Sequence, residues 1–226
     1  MKTIQNGSPA TENGIIDYYR RRAAEYDQIY QIPERQAALR QLEERVSRTL
    51  TDRRILDIAC GTGYWTGMLA RTARMVVAMD INAEMIEIAR NRCKSYPTVE
   101  FYIADAFKLP AIPEGFDGVF MGFWWSHIPK QDISDYLVSL YTGCAEKIRV
   151  VMVDNLFVEG SSTPIHRTDD HGNGYQIRGL TDGSHHEVLK NFPDENEIRS
   201  SLSTVTDTVM YWSNQYYWMV EYETGA

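Results

Sequence analysis

Ile55-Leu56-Asp57-Ile58-Ala59-Cys60-Gly61-Thr62-Gly63 is the stretch that decides how this chain folds. Ile55, Leu56 and Ile58 suit a strand covered on both faces of a parallel sheet, and Asp57 places an acid near its end. Gly61 and Gly63 open backbone conformations that a side chain forbids and let a ligand come close to the main chain. Tyr64 to Thr72 then reads as a helix whose first amides face whatever lies over the turn. Strand, glycine turn and helix in this order form a cofactor seat.

The spacing narrows the cofactor. A dinucleotide fingerprint needs G-x-G-x-x-G with the pyrophosphate on the helix N-terminus, whereas Gly61, Gly63 and Gly67 give G-x-G-x-x-x-G. That spacing speaks against a nicotinamide-dependent reductase. No lysine follows the glycines, so a P-loop is excluded, and the charge of Asp57 repels a pyrophosphate and welcomes a cation. Asp57-x-Ala59-x-Gly61-x-Gly63 resembles the first motif of the class I S-adenosylmethionine (SAM)-dependent methyltransferases, acid-x-Gly-x-Gly-x-Gly, with Ala59 in place of the first glycine. Alanine is nearly as small, so the departure reads as mild.

Working outward, strands alternate with helices, which implies a parallel sheet with right-handed crossovers. Met75 to Met79 reads as a second strand ending at Asp80, Thr98 to Ile103 as a third ending at Asp105, Gly115 to Met121 as a fourth and Ile148 to Val153 as a fifth. Asn82 and Asp132 are expected to cap the intervening helices, the second carrying Ile133, Tyr136, Leu137, Leu140, Tyr141 and Cys144 on one face. Pro33 opens a helix to about Leu50. Residues 1 to 13 read as a loose tail and Ile15 to Tyr30 as one or two short helices. Residues 157 to 174 read as a surface loop. Tyr175 to Leu180 and His185 to Phe192 read as strands joined at Thr181-Asp182-Gly183-Ser184. Asp194 caps a further helix, and Val205 to Trp212 with Gln215 to Glu223 form a terminal hairpin. The fold class is α/β: a Rossmann-like three-layer sandwich around a mostly parallel seven-stranded sheet, with an N-terminal helical cover and, as the resemblance implies, an antiparallel last strand. One domain spans 1–226: tail and cover over 1–50, cofactor core over 51–156, and pocket loop, hairpin and terminal strands over 157–226.

The resemblance, which covers roughly residues 50 to 155, also assigns roles. Asp57 sits near the amino acid end of SAM, with Ala59, Cys60, Gly61 and Gly63 forming the loop. Asp80 accepts the ribose hydroxyls, each charge-assisted bond contributing roughly 1.5–3 kcal/mol. Ile81 and Met85 lie against the adenosine, Asp105 and Ala106 take the adenine edge, and Phe107 stacks. Phe123 joins the cofactor side. SAM is therefore the expected cofactor and S-adenosylhomocysteine (SAH) the product. A lone strand-end aspartate is usually a helix cap; three of them with a glycine loop, in this order, are a cofactor set.

Methyl transfer asks for geometry above all, an acceptor held in line with water excluded. Met121 to His127 follows the fourth strand, where the resemblance places acceptor-facing residues. Trp124, Trp125 and His127, with Tyr18 and Tyr19 from the cover, are the expected acceptor pocket, although tyrosines and tryptophans serve a core equally well. His127 is the expected base, since its ordinary pKa lies near operating pH, and Tyr26 is a second catalytic candidate. Arg20, Arg21 and Arg22 read mainly as a solvated face, with one placed to reach an acceptor or the cofactor carboxylate. The Asn/Asp-Pro-Pro-Tyr/Phe motif of enzymes that methylate exocyclic amines is absent. His166, His171, His185 and His186 fit no ligand spacing, so no metal is expected.

Composition bounds the rest. The 226 residues carry a net charge of −8, which argues against general affinity for nucleic acid. Three cysteines without paired spacing suggest a reducing compartment, and no signal peptide or membrane span is read, so a cytoplasmic monomer or homodimer is expected. The expected function is methylation of a small aromatic or heteroaromatic metabolite on O, N or S. The alternatives are a non-catalytic SAM- or SAH-binding module and a protein or nucleic-acid methyltransferase.

Overall fold

A computed structural model describes residues 9–109, 115–140 and 147–224. Its centre is a seven-stranded sheet. Strands β1 (Arg54–Ile58), β2 (Met75–Asp80), β3 (Val99–Ile103), β4 (Gly118–Gly122) and β5 (Arg149–Asn155) run parallel. A terminal hairpin, β9 (Met210–Ser213) and β10 (Tyr217–Glu223), completes it in the order β3-β2-β1-β4-β5-β10-β9, with β10 antiparallel to both neighbours. The chain runs outward from β1 to β3 on one side and from β4 to β5 on the other. The switch in strand order therefore lies between β1 and β4, and the crevice for a ligand lies beyond their carboxyl ends.

Side-chain alternation explains the apolar strands. Leu56, Ile58, Val77, Met79, Val119 and Met121 face one core layer, while Ile55, Val76, Ala78, Phe120 and Val151 face the other. The first layer is closed by α5 (Ile133–Ser139) and α6 (Glu195–Leu202), through Ile133, Leu137, Ile198 and Leu202. The second is closed by α2 (Gln36–Leu50), whose Leu39, Leu42, Val46 and Leu50 form one buried stripe, and by α3 (Tyr64–Leu69). Helix α4 (Ala83–Arg92) follows β2. The expected three-layer architecture is the one found.

The cover begins earlier than expected. Helix α1 runs Pro9–Arg22, so residues 9 to 13 are helix rather than tail, with proline at a first turn where its missing N–H costs nothing. A 3₁₀ segment, Ala23–Tyr30, continues it. Residues 157 to 192 also hold more structure than a loop and hairpin: β6 (Arg167–Thr168), β7 (Gly174–Gly179) and β8 (His185–Leu189) make a separate antiparallel sheet against which α1 packs.

The capping expectations divide. Asp194 accepts from Glu197 N–H at 2.8 Å while Glu197 accepts from Asp194 N–H at 3.0 Å, a complete capping box. Asp132 makes no capping bond, because a 3₁₀ turn at Lys130–Asp132 already leads into α5. Asn82 makes none either; the Asp80 carboxylate takes the Asn82 N–H instead. The terminal hairpin is shorter than expected, residues 203 to 209 leaving α6 through turns. Tyr141 and Cys144 lie outside the described residues. No described helix is long and apolar enough to cross a membrane.

Candidate functional site

The turn after β1 is built by backbone conformation. Ala59, Gly61 and Gly63 all adopt positive φ, at 55°, 56° and 74°. The departure at Ala59 is therefore conformational rather than a matter of size: a left-handed alanine costs roughly 1–2 kcal/mol that glycine avoids. Phe123, just after β4, has φ 58° as well. Backbone strain thus gathers at the carboxyl ends of the two central strands, where functional sites store it. At Gly63 a Cβ would lie 2.8 Å from the Ala89 Cβ and 2.9 Å from its Cα, so this glycine sets the close approach of α3 to α4. Cys60 is buried, its N–H bonded to the Met79 carbonyl at 2.8 Å and its thiol pushed up by burial.

The three aspartates take different jobs. Asp80 lines the crevice, its two carboxylate oxygens accepting from Gly61 N–H at 3.0 Å and Asn82 N–H at 2.9 Å. Burial raises its pKa to about 6, and each oxygen keeps lone-pair capacity beyond the amide it accepts. Asp57 does not line the crevice and is 1% exposed. Its carboxylate accepts the Thr66 hydroxyl at 2.6 Å, tying β1 to α3, and burial pushes its pKa up to about 7. Asp57, expected near an ammonium group, here gives its carboxylate to Thr66. Asp105 lines the crevice, but its carboxylate accepts from Phe107 N–H at 2.9 Å and pairs with Lys108 at 3.3 Å.

Two cavities meet above the sheet. The first is walled by Ala59, Gly61, Asp80, Ile81, Met85, Asp105, Ala106, Phe107 and Trp124, with Ile15 and Ile16 of the cover above. It is a largely apolar slot with two carboxylates, of which Asp80 is held by two backbone amides, and this suits a flat base joined to a vicinal diol. The second lies between the cover and the small sheet, lined by Tyr18, Arg22, Tyr30, Arg35, Gln176, Arg178 and Lys190 among others. Four side chains, Tyr19, Tyr26, Phe123 and His127, line both. Of the expected acceptor-pocket residues, Tyr18, Tyr19 and His127 line the second cavity, whereas Trp124 lines only the first. Trp125 lines neither: it is 1% exposed and packs edge-on against Trp218 at 5.8 Å in the core. Cys60 and Gly63, in the same loop, line neither cavity.

The cover is fastened to the loop by Asp27, which accepts the Thr62 hydroxyl at 2.5 Å and pairs with Arg92 of α4. Nothing in the local pattern around Asp27 signals this; it becomes visible only when the cover is folded over the glycine turn.

The two catalytic candidates are not free bases. His127 is 6% exposed, with Nδ1 2.6 Å from the Leu189 carbonyl and Nε2 2.8 Å from the Tyr19 hydroxyl. A carbonyl only accepts, which assigns the hydrogen to Nδ1, so Nε2 accepts from the Tyr19 O–H. Burial, with Lys190 and Arg178 nearby, holds the imidazole pKa well below its ordinary value. His127 is therefore neutral with both nitrogens engaged, Nδ1 by the Leu189 carbonyl and Nε2 by the Tyr19 hydroxyl. Tyr26 has its pKa pushed up by burial and keeps its proton.

Residues 55–146 match a family model described as a methyltransferase domain. The demethylmenaquinone methyltransferase of Clavibacter sepedonicus is 37% identical over 92 residues, a stretch that is 40% of this chain and 38% of that protein, so the likeness spans well under half of the curated relative. The solved structure of a DhpI–SAH complex superposes with a TM-score of 0.78 and 26% identity, covering 97% of this chain and 99% of that one. Magnesium protoporphyrin IX methyltransferase (ChlM) from Synechocystis PCC 6803 with bound SAM gives a TM-score of 0.65 at 16% identity, over 98% of this chain and 100% of that one, a likeness of fold.

Proposed function

We propose that this chain moves the methyl group of SAM onto a small-molecule acceptor and releases SAH, because residues 55–146 match a methyltransferase-domain model and the sheet places a crevice beyond the carboxyl ends of β1 and β4. The observation that carries the reading is the junction: a base-and-diol slot and a separate polar cavity share Tyr19, Tyr26, Phe123 and His127. A module that only binds a cofactor has no use for the second cavity. Bound in the slot, SAM would supply a methyl group already activated by its sulfonium, transferred as the acceptor's lone pair bonds the methyl carbon and the carbon–sulfur pair returns to sulfur.

The chain's own residues bind and orient. Asp80 accepts the diol hydroxyls, and Ile81, Met85, Ala106, Phe107 and Trp124 enclose the base. Tyr19, Tyr26 and Phe123 close the junction against water, which is where positioning lowers the barrier. His127 holds the Tyr19 hydroxyl through Nε2 and is a positioning residue. Of the tryptophans expected to face the acceptor, Trp125 belongs to the core and Trp124 to the slot, so the second cavity takes its aromatic walls from Tyr18, Tyr19, Tyr26 and Phe123.

The test has two stages. Isothermal titration with SAH comes first, then incubation with methyl-labelled SAM and a low-mass cell extract. Saturable SAH binding and label in a low-mass product are expected. SAH binding with label in no low-mass fraction would leave a binding module, and absence of SAH binding would reject the reading altogether.

A further inference from the structure

The second cavity carries a charge pattern that methyl transfer by itself does not require. Arg22 at the end of α1, Arg35 in the 3₁₀ turn before α2, and Arg178 on β7 all line it, and among the described residues no Asp or Glu does. Among the described residues none of the three guanidinium groups pairs with a carboxylate. Their hydrogen bonds go to neutral acceptors instead. Arg22 donates to the Tyr18 hydroxyl at 2.8 Å, and Arg178 donates to the Gln176 side-chain oxygen at 3.0 and 2.7 Å. Arg35 donates to the Ser161 carbonyl at 3.0 Å and its hydroxyl at 2.8 Å. A fourth cation, Lys190, is already answered by Asp154 at 2.8 Å.

Neutral partners fix the position of a guanidinium without cancelling its charge. Three like charges around one half-enclosed cavity repel each other and forgo hydration, a cost that a native structure keeps when something compensates it. The chain as a whole has 31 carboxylate side chains against 23 Lys and Arg, so their exclusion from this one wall is a local feature of the site. Arginine's planar fork matches an oxyanion by paired N–H donors, which a point charge does not. Arg178 also donates to the Tyr19 hydroxyl at 3.3 Å, which places the cationic wall one side chain from the junction of the two cavities.

We propose that the methyl acceptor is a small oxyanion, a carboxylate or phosphoryl compound, gripped by Arg22, Arg35 and Arg178 with its nucleophilic atom turned toward Tyr19 and Phe123. This rests on the methyltransferase reading above. It adds an anionic group to the small-molecule acceptor expected from the sequence.

The test uses the full chain saturated with SAH and titrates inorganic phosphate and, separately, acetate by calorimetry at constant ionic strength set with sodium chloride. Saturable binding of one of them is expected, phosphate pointing to a phosphoryl acceptor and acetate to a carboxylate. Arg178→Gln and Arg22→Gln should each weaken it at least about tenfold, while Arg48→Gln, on an exposed face of α2, leaves it unchanged. SAH affinity measured in each variant reports that the fold survives. No saturable binding of either anion, or equal weakening by Arg48→Gln, overturns the inference while SAH binding leaves the methyltransferase reading standing; loss of SAH binding by the wild type strikes that reading instead. A second arm splits a low-mass extract on anion-exchange resin before labelled SAM is added. Label formed from the retained fraction is expected, and label confined to the unretained fraction overturns the oxyanion.

Discussion

The two cavities are built by different means. Beneath the cover, the wall of the first comes from the ends of β1 to β4, each contribution lying within a few residues of its strand, and its shape is set by main-chain conformation: positive φ at Ala59, Gly61 and Phe123, and amides of Gly61 and Asn82 on Asp80. The wall of the second comes from α1, the 3₁₀ segment after it, the chain beyond β5 and the small sheet, and is set by side chains bonded across distant segments, such as Arg35 to Ser161 and Tyr19 to His127. A backbone-built site is rigid and belongs to the fold. A side-chain-built one is free to change its contents, which suits it to the proposed acceptor.

Substituting backbone positions is the sharpest way to break this comparison. Gly63→Ala adds a left-handed Cβ that must also displace Ala89 from 2.8 Å, and should cost about 2–4 kcal/mol. Gly160→Ala, with a similar φ of 78° but nothing within 4 Å, should cost only about 1 kcal/mol. Equal losses in urea denaturation would remove the distinction. Next in size, Asp80→Ala should weaken SAH binding by about 10- to 100-fold, read by calorimetry, while phosphate or acetate binding in the other cavity is retained. Unchanged SAH affinity would take Asp80 out of the diol role.

A pH experiment isolates the buried brace. Asp57 has a folded pKa of about 7, raised from 3.8 by burial. A raised pKa means the folded chain holds a proton that the unfolded chain has released, so stability is full at low pH and declines until pH 7. His127 works in the opposite sense below about pH 6.5, because the unfolded imidazole takes a proton that the folded one refuses. Asp57→Asn keeps the acceptor for Thr66 and removes only the titration. Its stability relative to wild type should therefore rise by about 2 kcal/mol between pH 5 and pH 8, measured by urea unfolding without ligand. A flat difference would mean that Asp57 is charged at no cost. The smallest expected effect is at the strained alanine: Ala59→Gly should raise stability by up to about 1 kcal/mol, part of the relieved strain being returned as unfolded-chain entropy. A loss of stability would show that Ala59 is not strained.

The same division explains what the sequence could convey. The parallel sheet, the strand-end acids and the glycine turn were legible because each lies within a few residues of an apolar strand, and the alternation of that strand fixes where the next side chain points. Asp80, Ile81, Met85, Ala106 and Phe107 thus fall on the slot as expected. Asp57 could not be oriented from the sequence, because a strand-end acid reads the same whether it points over the turn or under it, and its bond to Thr66 appears only in the fold. Trp125 was misplaced by its neighbours: the left-handed Phe123 turns the chain so that 124 faces the slot and 125 the core. The cationic wall was nearly invisible. Arg22 lies in a run of three arginines that resembles a solvated helix face, and nothing local links it to Arg35 or Arg178, 156 positions beyond it. Tertiary assembly alone makes them one surface.

A crystal structure with SAH bound tests most directly whether the two cavities are halves of one reaction chamber. The sulfur is predicted to lie at the junction, within van der Waals reach, about 4 Å, of the rings of Tyr19, Tyr26 or Phe123, with the diol on Asp80. Sulfur walled off from the Arg178 side, or adenosine bound anywhere other than over Gly61 and Asp80, would contradict it.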